Sequence, residues 1–219
     1  MSALPNPETL REACAQSAAE YQLFSDASAL AQSYCREKRY QHCLYVAQTI
    51  IPLAKHYDCP VFELGLAAVL HDVAKNQDPK SLAEKGIPDS LLQGDLYKEY
   101  PKVWHAFVGP AVVQEKLGIK DSVILDAIRY HTTGAGDMST ATQLLYVSDF
   151  IEPSRNRVNQ KDLEALAVQD LPSLVSYVAA TAIQNCTKSA SAIHPNTLDC
   201  YHKYRDQIQG SYWQRQTWP

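Results

Sequence analysis

The sequence has no apolar run that approaches the roughly 18 residues a membrane helix needs, so we expect no membrane partner. Its first residues, MSALPNPETLREACAQ, lack the basic segment and apolar stretch of a secretory signal. The six cysteines form no C-x-x-C pair, a pattern typical of small buried side chains in a reducing compartment rather than of disulfides. These absences together predict a cytoplasmic protein.

Two further absences limit the kind of ligand. The basic residues form no tail or stripe, and the formal net charge is −4, which argues against binding of duplex nucleic acid. The chain also lacks a G-x-x-x-x-G-K-[ST] segment, so the phosphate-binding loop of P-loop enzymes is excluded. A small nucleotide stays possible, because a metal and a few placed cations can bind a polyphosphate locally.

The apolar residues follow a helical period almost throughout, and no alternating strand pattern of convincing length is present. A chain of 219 residues with 46% hydrophobic residues can bury one good core. We therefore expect an all-α fold, with an N-terminal helical extension over 1–35, a main domain over 36–205 and a C-terminal tail over 206–219. The extension could mediate a homodimer or cover an apolar face.

Helix boundaries follow from caps, prolines and glycines. The pattern predicts an Ala- and Glu-rich helix over 8–20 and a second one over 26–36, capped by Ser25-Asp26. Pro60 begins a helix that continues through Lys75, and turn residues follow it. Further helices are predicted over 79–85, 88–93, 103–117, 121–131, 139–151, 160–168, 171–189 and 195–208.

Four of the seven histidines and two aspartates stand in an order that can build a metal site. They are His42, His71, Asp72, His105, His131 and Asp149. Imidazole nitrogen and carboxylate oxygen suit first-row divalent metals such as iron, manganese, cobalt, nickel and zinc. A single buried histidine or an isolated His-Asp pair is usually structural, so it is the complete set that favours a metal centre.

Five segments carry a resemblance to a known family. They are Arg39-Tyr40 ahead of His42, HDVAK at 71–75, RYHTTG at 129–134, SDFIEPSR at 148–155 and IHPNT at 193–197. From about residue 36 to about residue 205 the chain resembles the HD-domain superfamily of metal-dependent phosphohydrolases, and within it the YqeK family. The resemblance implies an HD-domain helical bundle that hydrolyses diadenosine tetraphosphate, and related dinucleoside tetraphosphates, symmetrically to two nucleoside diphosphates with a metal-activated water.

The resemblance also implies roles for the metal-site residues. The first metal would be held by His42, His71, Asp72 and Asp149. Asp72 would bridge to a second metal held by His105 and His131, although these two histidines could instead face phosphate or protonate the leaving group. Iron is the metal that the resemblance favours, in a mononuclear or binuclear centre, while ligand chemistry also allows manganese, cobalt or nickel.

Other residues are expected to contact the substrate. Lys75 lies four residues after His71, on the same face of the predicted helix, and would stabilise charge on a phosphoryl group. The resemblance adds Arg39, Arg155, His194 and Thr197, and the hydroxyl of Thr132, next to His131, could hold a phosphate or ribose oxygen. Structural roles compete with these assignments: the helix dipole for Lys75, solvation for Arg39 and helix capping for both threonines. Ser154 stands where relatives often have glycine, so the turn before Arg155 could differ.

Three functions compete at this point. The first is the symmetrical tetraphosphatase, with a dinucleotide substrate and a nucleoside diphosphate product. The second is another HD-domain phosphohydrolase, either a nucleotidase or a deoxynucleoside triphosphate triphosphohydrolase. The third is a nucleotide-binding regulator with a degenerate site, which the complete ligand set disfavours.

Overall fold

Helices make up every regular element in the computed structural model, which describes residues 4–92, 94–157 and 159–205. The all-α prediction is therefore confirmed. None of the described helices is both long and apolar enough to cross a membrane. In chain order the helices are α1 (Pro7–Cys14), α2 (Ala18–Tyr34), α3 (Glu37–His56), α4 (Val61–Leu70), α5 (Pro79–Glu84), α6 (Asp89–Leu92), α7 (Leu96–Glu99), α8 (Trp104–Leu117), α9 (Ser122–Tyr130), α10 (Thr140–Ile151), a 3-10 turn (Pro153–Arg155), α11 (Gln160–Gln169), α12 (Leu171–Lys188) and α13 (Pro195–Arg205).

Helix α4 lies at the centre of the bundle. Its sequence, VFELGLAAVL, is apolar on nearly all sides, and every residue from Leu64 to Leu70 is buried. A helix with this pattern needs neighbours all round, and α4 packs against α2, α3, α9 and α10. Helices α3 and α10 also pack against each other, and α12 packs against both α10 and α13. The candidate metal ligands lie where α3, α4, α8, α9 and α10 converge.

The two predicted N-terminal helices are wrong in their boundaries. Helix α1 ends at Cys14, and α2 runs without a break from Ala18 to Tyr34, through the supposed cap at Ser25-Asp26. Ser17 begins α2 with a capping box, in which its hydroxyl accepts from the Glu20 amide and the Glu20 carboxylate accepts from the Ser17 amide. This S-x-x-E signature satisfies two amides that the start of a helix leaves free, so a new helix begins after Ser17.

The helix predicted to reach Lys75 ends earlier, at Leu70. Residues 71–76 continue as tight turns, in which the Val73 amide donates to the Leu70 carbonyl and the Lys75 amide donates to the Asp72 carbonyl. Apolar periodicity could not show this change, because Val73 and Ala74 are as buried as the helix before them. The shared helix face expected of His71 and Lys75 is thus replaced by a turn. The predicted tail over 206–219 and the last residues of the helix predicted over 195–208 lie outside the described residues.

Helices α1 and α2 form part of the main core. Leu10, Cys14, Phe24 and Ala27 are buried in the same apolar cluster as α3 and α4. The approach is close enough that a Cβ atom at Gly65 would lie 3.1 Å from the Cys14 sulfur. Within the described residues, these helices therefore cover an apolar face of α3 and α4.

This packing makes Phe24, which is 1% exposed, a test of the N-terminal helices. Phe24→Ala should lower the free energy of unfolding by about 3–5 kcal/mol, because it leaves a cavity beside α4. Urea denaturation followed by circular dichroism measures the change. The exposed Gln22 on the same helix provides the control, since Gln22→Ala should cost no more than about 0.5 kcal/mol. Equal losses in both variants would show that α2 is not part of the core.

Candidate metal centre

His71 and His131 are each held by a hydrogen bond to the carbonyl three residues earlier. Each follows the last residue of a helix, α4 for His71 and α9 for His131. The Nδ1 atom of His71 lies 2.7 Å from the Ala68 carbonyl, and that of His131 lies 2.7 Å from the Ile128 carbonyl. A carbonyl can only accept, so each Nδ1 carries the proton and each Nε2 keeps a free lone pair when the ring is neutral. Both lone pairs face the interior.

Asp72 connects two groups of histidines. Its Oδ1 atom lies 3.1 Å from Nε2 of His105 and 3.4 Å from Nε2 of His131. Its Oδ2 atom lies 3.4 Å from Nε2 of His71 and accepts a 2.8 Å hydrogen bond from the Arg39 guanidinium. The carboxylate is 2% exposed, so its two oxygens serve different neighbours inside the protein.

His42 and Asp149 complete the first group. His42 lies on α3 with its Nε2 atom 2.8 Å from Oδ1 of Asp149 on α10. The same Asp149 oxygen lies 3.8 Å from Nε2 of His71, and Oδ2 of Asp72 lies 3.9 Å from Nε2 of His42. Four predicted ligands of one metal thus face a common point.

These side chains fit a divalent cation. Two sets, His42 with His71 and Asp72, and Asp72 with His105 and His131, each bring one donor atom per residue within 4.8 Å of the others. Nε2 of His71 is fully buried, carries no proton and has no hydrogen-bond partner among the described residues. A buried acceptor without a partner costs roughly 1–3 kcal/mol, and a cation bound by nitrogen and carboxylate oxygen would satisfy it. The divalent metal site expected from the sequence is present.

The protonation states agree with this use. Burial lowers the pKa of His71, and it lowers that of His105 to about 4, so both rings are neutral at neutral pH. Burial alone would raise the pKa of Asp72, but His71, His105 and His131 hold it well below its usual range. His42 differs, because burial opposes its charge while Asp149 and Glu152 raise its pKa to about 9. A metal at this site has to displace the Nε2 proton of His42.

Glu152 is a site residue that the sequence did not reveal. Its carboxylate is fully buried, with Oε1 3.0 Å from Nδ1 of His42, opposite the nitrogen that faces Asp149. Ser154 donates to the same carboxylate through its amide and its hydroxyl, both at 2.6 Å. A carboxylate that holds the outer nitrogen of a ligating histidine is a common support for metal sites. Its position in SDFIEPSR, three residues after Asp149, was the one available signal.

Three predicted cations reach the centre. Nζ of Lys75 lies 3.2 Å from Nε2 of His105, and burial lowers the lysine pKa. The Arg155 guanidinium donates to Oδ1 of Asp149 at 2.8 Å, so the 3-10 turn containing Ser154 still directs this arginine inward. Arg39 holds Asp72, as described above. The structure therefore brings all three next to ligating carboxylates or histidines.

Cavities open on several sides of this centre, and two of them are lined by most of the predicted substrate contacts. The larger one, of about 720 Å³, is lined among others by Lys75, Thr132, Arg155, His194 and Thr197. The Thr132 hydroxyl lies 2.8 Å from Nε2 of His131, and the His194 ring lies between Tyr100 and Phe107, with ring centres 4.8 and 4.9 Å away. The smaller cavity, of about 370 Å³, lies beside the start of α3. All the predicted site residues therefore lie at the centre or along these cavities, while the individual roles stay predictions.

Comparison with known proteins agrees with the geometry. The family model described as "HD domain" matches residues 39–171. Two relatives named "Bis(5'-nucleosyl)-tetraphosphatase, symmetrical" come from Halalkalibacterium halodurans and Bacillus subtilis. They are 33% and 32% identical to this chain, over 80% and 81% of it and 92% and 95% of their own lengths.

A solved structure shares the fold. It is described as a predicted HD superfamily hydrolase involved in NAD metabolism, from Clostridium acetobutylicum. The TM-score is 0.74 at 25% sequence identity, and the match covers 84% of this chain and 98% of the other. The HD-domain bundle expected from the sequence is confirmed. With the family model spanning most of α3 to α10 and relatives matched over nearly their full lengths, the chain belongs to the HD domain family, among the relatives named as symmetrical bis(5'-nucleosyl)-tetraphosphatases.

Proposed function

We propose that this chain is a metal-dependent phosphoanhydride hydrolase that cleaves diadenosine tetraphosphate, and related dinucleoside tetraphosphates, into two nucleoside diphosphates. The observation that carries the proposal is the buried Asp72 carboxylate, which joins two histidine groups at a centre flanked by two cavities. The printed names of the relatives support the substrate and the symmetric cut.

The metal we propose is iron in a binuclear centre, with manganese, cobalt or nickel as substitutes. His42, His71, Asp72 and Asp149 would hold one ion, and Asp72, His105 and His131 the other. Support for two ions comes from Asp72, whose two oxygens face different histidine groups. A bound divalent metal supplies a water of lowered pKa and neutralises charge on the phosphoryl oxygens.

Geometry favours the ligand role of His131 over an acid role. Its Nδ1 proton is held by the Ile128 carbonyl, and its Nε2 atom faces Asp72 and Thr132. A ring held in this way has no proton directed at a leaving group. We infer that it is a ligand, which is one of the roles that the sequence left open.

The cations of the chain act on the polyphosphate. Lys75 and Arg155 both line the larger cavity and both lie within hydrogen-bonding distance of the metal-site side chains. Placed there, they stabilise the negative charge that develops on the phosphoryl oxygens during cleavage. Arg39 orients Asp72, while Thr132, His194 and Thr197 provide polar contacts for a nucleotide in the same cavity.

Product analysis tests the function directly. With Fe²⁺, Mn²⁺ or Co²⁺ added, the purified protein should convert diadenosine tetraphosphate to ADP alone, as measured by ion-exchange chromatography. AMP together with ATP would mean that the attacked phosphorus is misassigned. Release of nucleoside and phosphate, or of tripolyphosphate from a deoxynucleoside triphosphate, would instead identify one of the other HD-domain phosphohydrolases.

Glu152 is proposed as a positioning residue that acts through His42. In Glu152→Gln the side-chain NH2 group would meet the backbone N–H of Ser154, so that two donors would face each other. The side chain would shift, and the His42 ring would lose its fixed orientation. Metal affinity should fall by about 10- to 100-fold, measured by competition with a chelator. Ser154→Gly is the matched control, because it keeps the carboxylate and the backbone amide donor and removes only the hydroxyl, so its affinity should stay close to the starting value. Unchanged affinity in Glu152→Gln would remove the proposed role.

A further inference from the structure

We propose that the smaller cavity binds the second nucleoside diphosphate half of the substrate, with Arg36 and Lys38 as its phosphate contacts. This inference rests on the proposed function. The α3 cavity, as we name it, is lined mainly by Arg36, Lys38, Arg39, Asn76, Ser154 and Arg155. Its volume of about 370 Å³ lies within the roughly 300–1,000 Å³ typical of small-molecule sites.

The lining of the α3 cavity is strongly cationic, although the chain as a whole carries a net charge of −4. Four basic side chains line it, against one acidic residue, Glu152. The Glu152 carboxylate is already bound by His42 and by both donors of Ser154. The cavity therefore presents an excess of positive charge to a ligand.

The four cations fall into two pairs. Arg39 and Arg155 are bound to the metal-site carboxylates Asp72 and Asp149. Arg36 and Lys38, in contrast, form no ion pair with any residue in the described part of the chain. Both are exposed, so they are available to an anion that enters from solvent.

These two residues lie at the positive end of α3. Arg36 is the N-cap and Lys38 lies in the first turn, where the helix dipole disfavours positive charge and Glu37 provides one compensating negative charge. The N-cap also forms no side-chain hydrogen bond to the helix amides. An anionic ligand at this point would be stabilised both by the cations and by the helix end.

The two cavities share Arg155, and the α3 cavity also borders the candidate metal ligand His42. A symmetric cut requires one nucleoside diphosphate on each side of the broken bond, and so two binding sites. In the larger cavity Lys98 pairs with Asp95, and Lys102 donates to Ser189 and Ser191. Its wall includes the rings of Tyr100 and His194, which suits a nucleoside. The phosphates of the other nucleoside diphosphate would then bind in the α3 cavity.

Binding stoichiometry of ADP tests this assignment without requiring turnover. The metal-loaded protein, titrated with ADP by isothermal calorimetry, should bind two molecules per chain. The charge-reversed double variant Arg36→Glu/Lys38→Glu should bind one. Lys161→Glu is the matched control, because Lys161 is an exposed lysine in the first turn of α11, and this variant should still bind two.

A single ADP per chain in the starting protein, or two in the double variant, would overturn the proposal. Circular dichroism checks that the double variant folds, and Arg36→Ala and Lys38→Ala provide milder changes. Each should raise the KM for diadenosine tetraphosphate about tenfold while kcat changes less than about twofold, as expected for lost charged hydrogen bonds. If the starting protein yields no ADP, the proposed function fails, but the ADP stoichiometry still decides whether the cavity is a site.

Discussion

The arrangement of the site depends on the burial of one carboxylate, that of Asp72. A charged group at 2% exposure needs compensation, and two of its neighbours, His71 and His131, direct a lone pair rather than a proton into the site. Arg39 provides part of the compensation, and a divalent cation bound at the centre would provide the remainder. The helices that converge here, α3, α4, α8, α9 and α10, each contribute at least one of the groups involved.

Helix ends do much of the positioning. Helices α4 and α9 both stop one residue before a ligating histidine, and the carbonyl three residues earlier fixes the ring. His42 lies within a helix, where no such free carbonyl is available, and the Glu152 carboxylate holds its Nδ1 atom instead. The early end of α4 shapes the site, since the turn after it brings both Asp72 and Lys75 next to His105.

The order of histidines and aspartates in the sequence indicated the candidate ligands, most of which lie in short motifs whose chemistry is visible without the fold. Glu152 could not be separated from a surface glutamate, since its burial depends on packing between α3 and the turn after α10. Arg36 and Lys38 are equally unremarkable in sequence, and only the cavity between α3 and that turn gives them a role. The break before α2 was visible in Ser17 and Glu20, whereas the end of α4 was hidden by the buried Val73 and Ala74.

The most direct test of this account is the metal content of the protein and of Asp72→Ala, measured by mass spectrometry after metal removal and reloading with Fe²⁺ or Mn²⁺. The account predicts that the starting protein takes up metal and that its melting temperature rises on loading. Asp72→Ala should keep its helical circular dichroism spectrum, lose most of the bound metal and show no such rise. Full metal content in Asp72→Ala would contradict the central role given to this carboxylate.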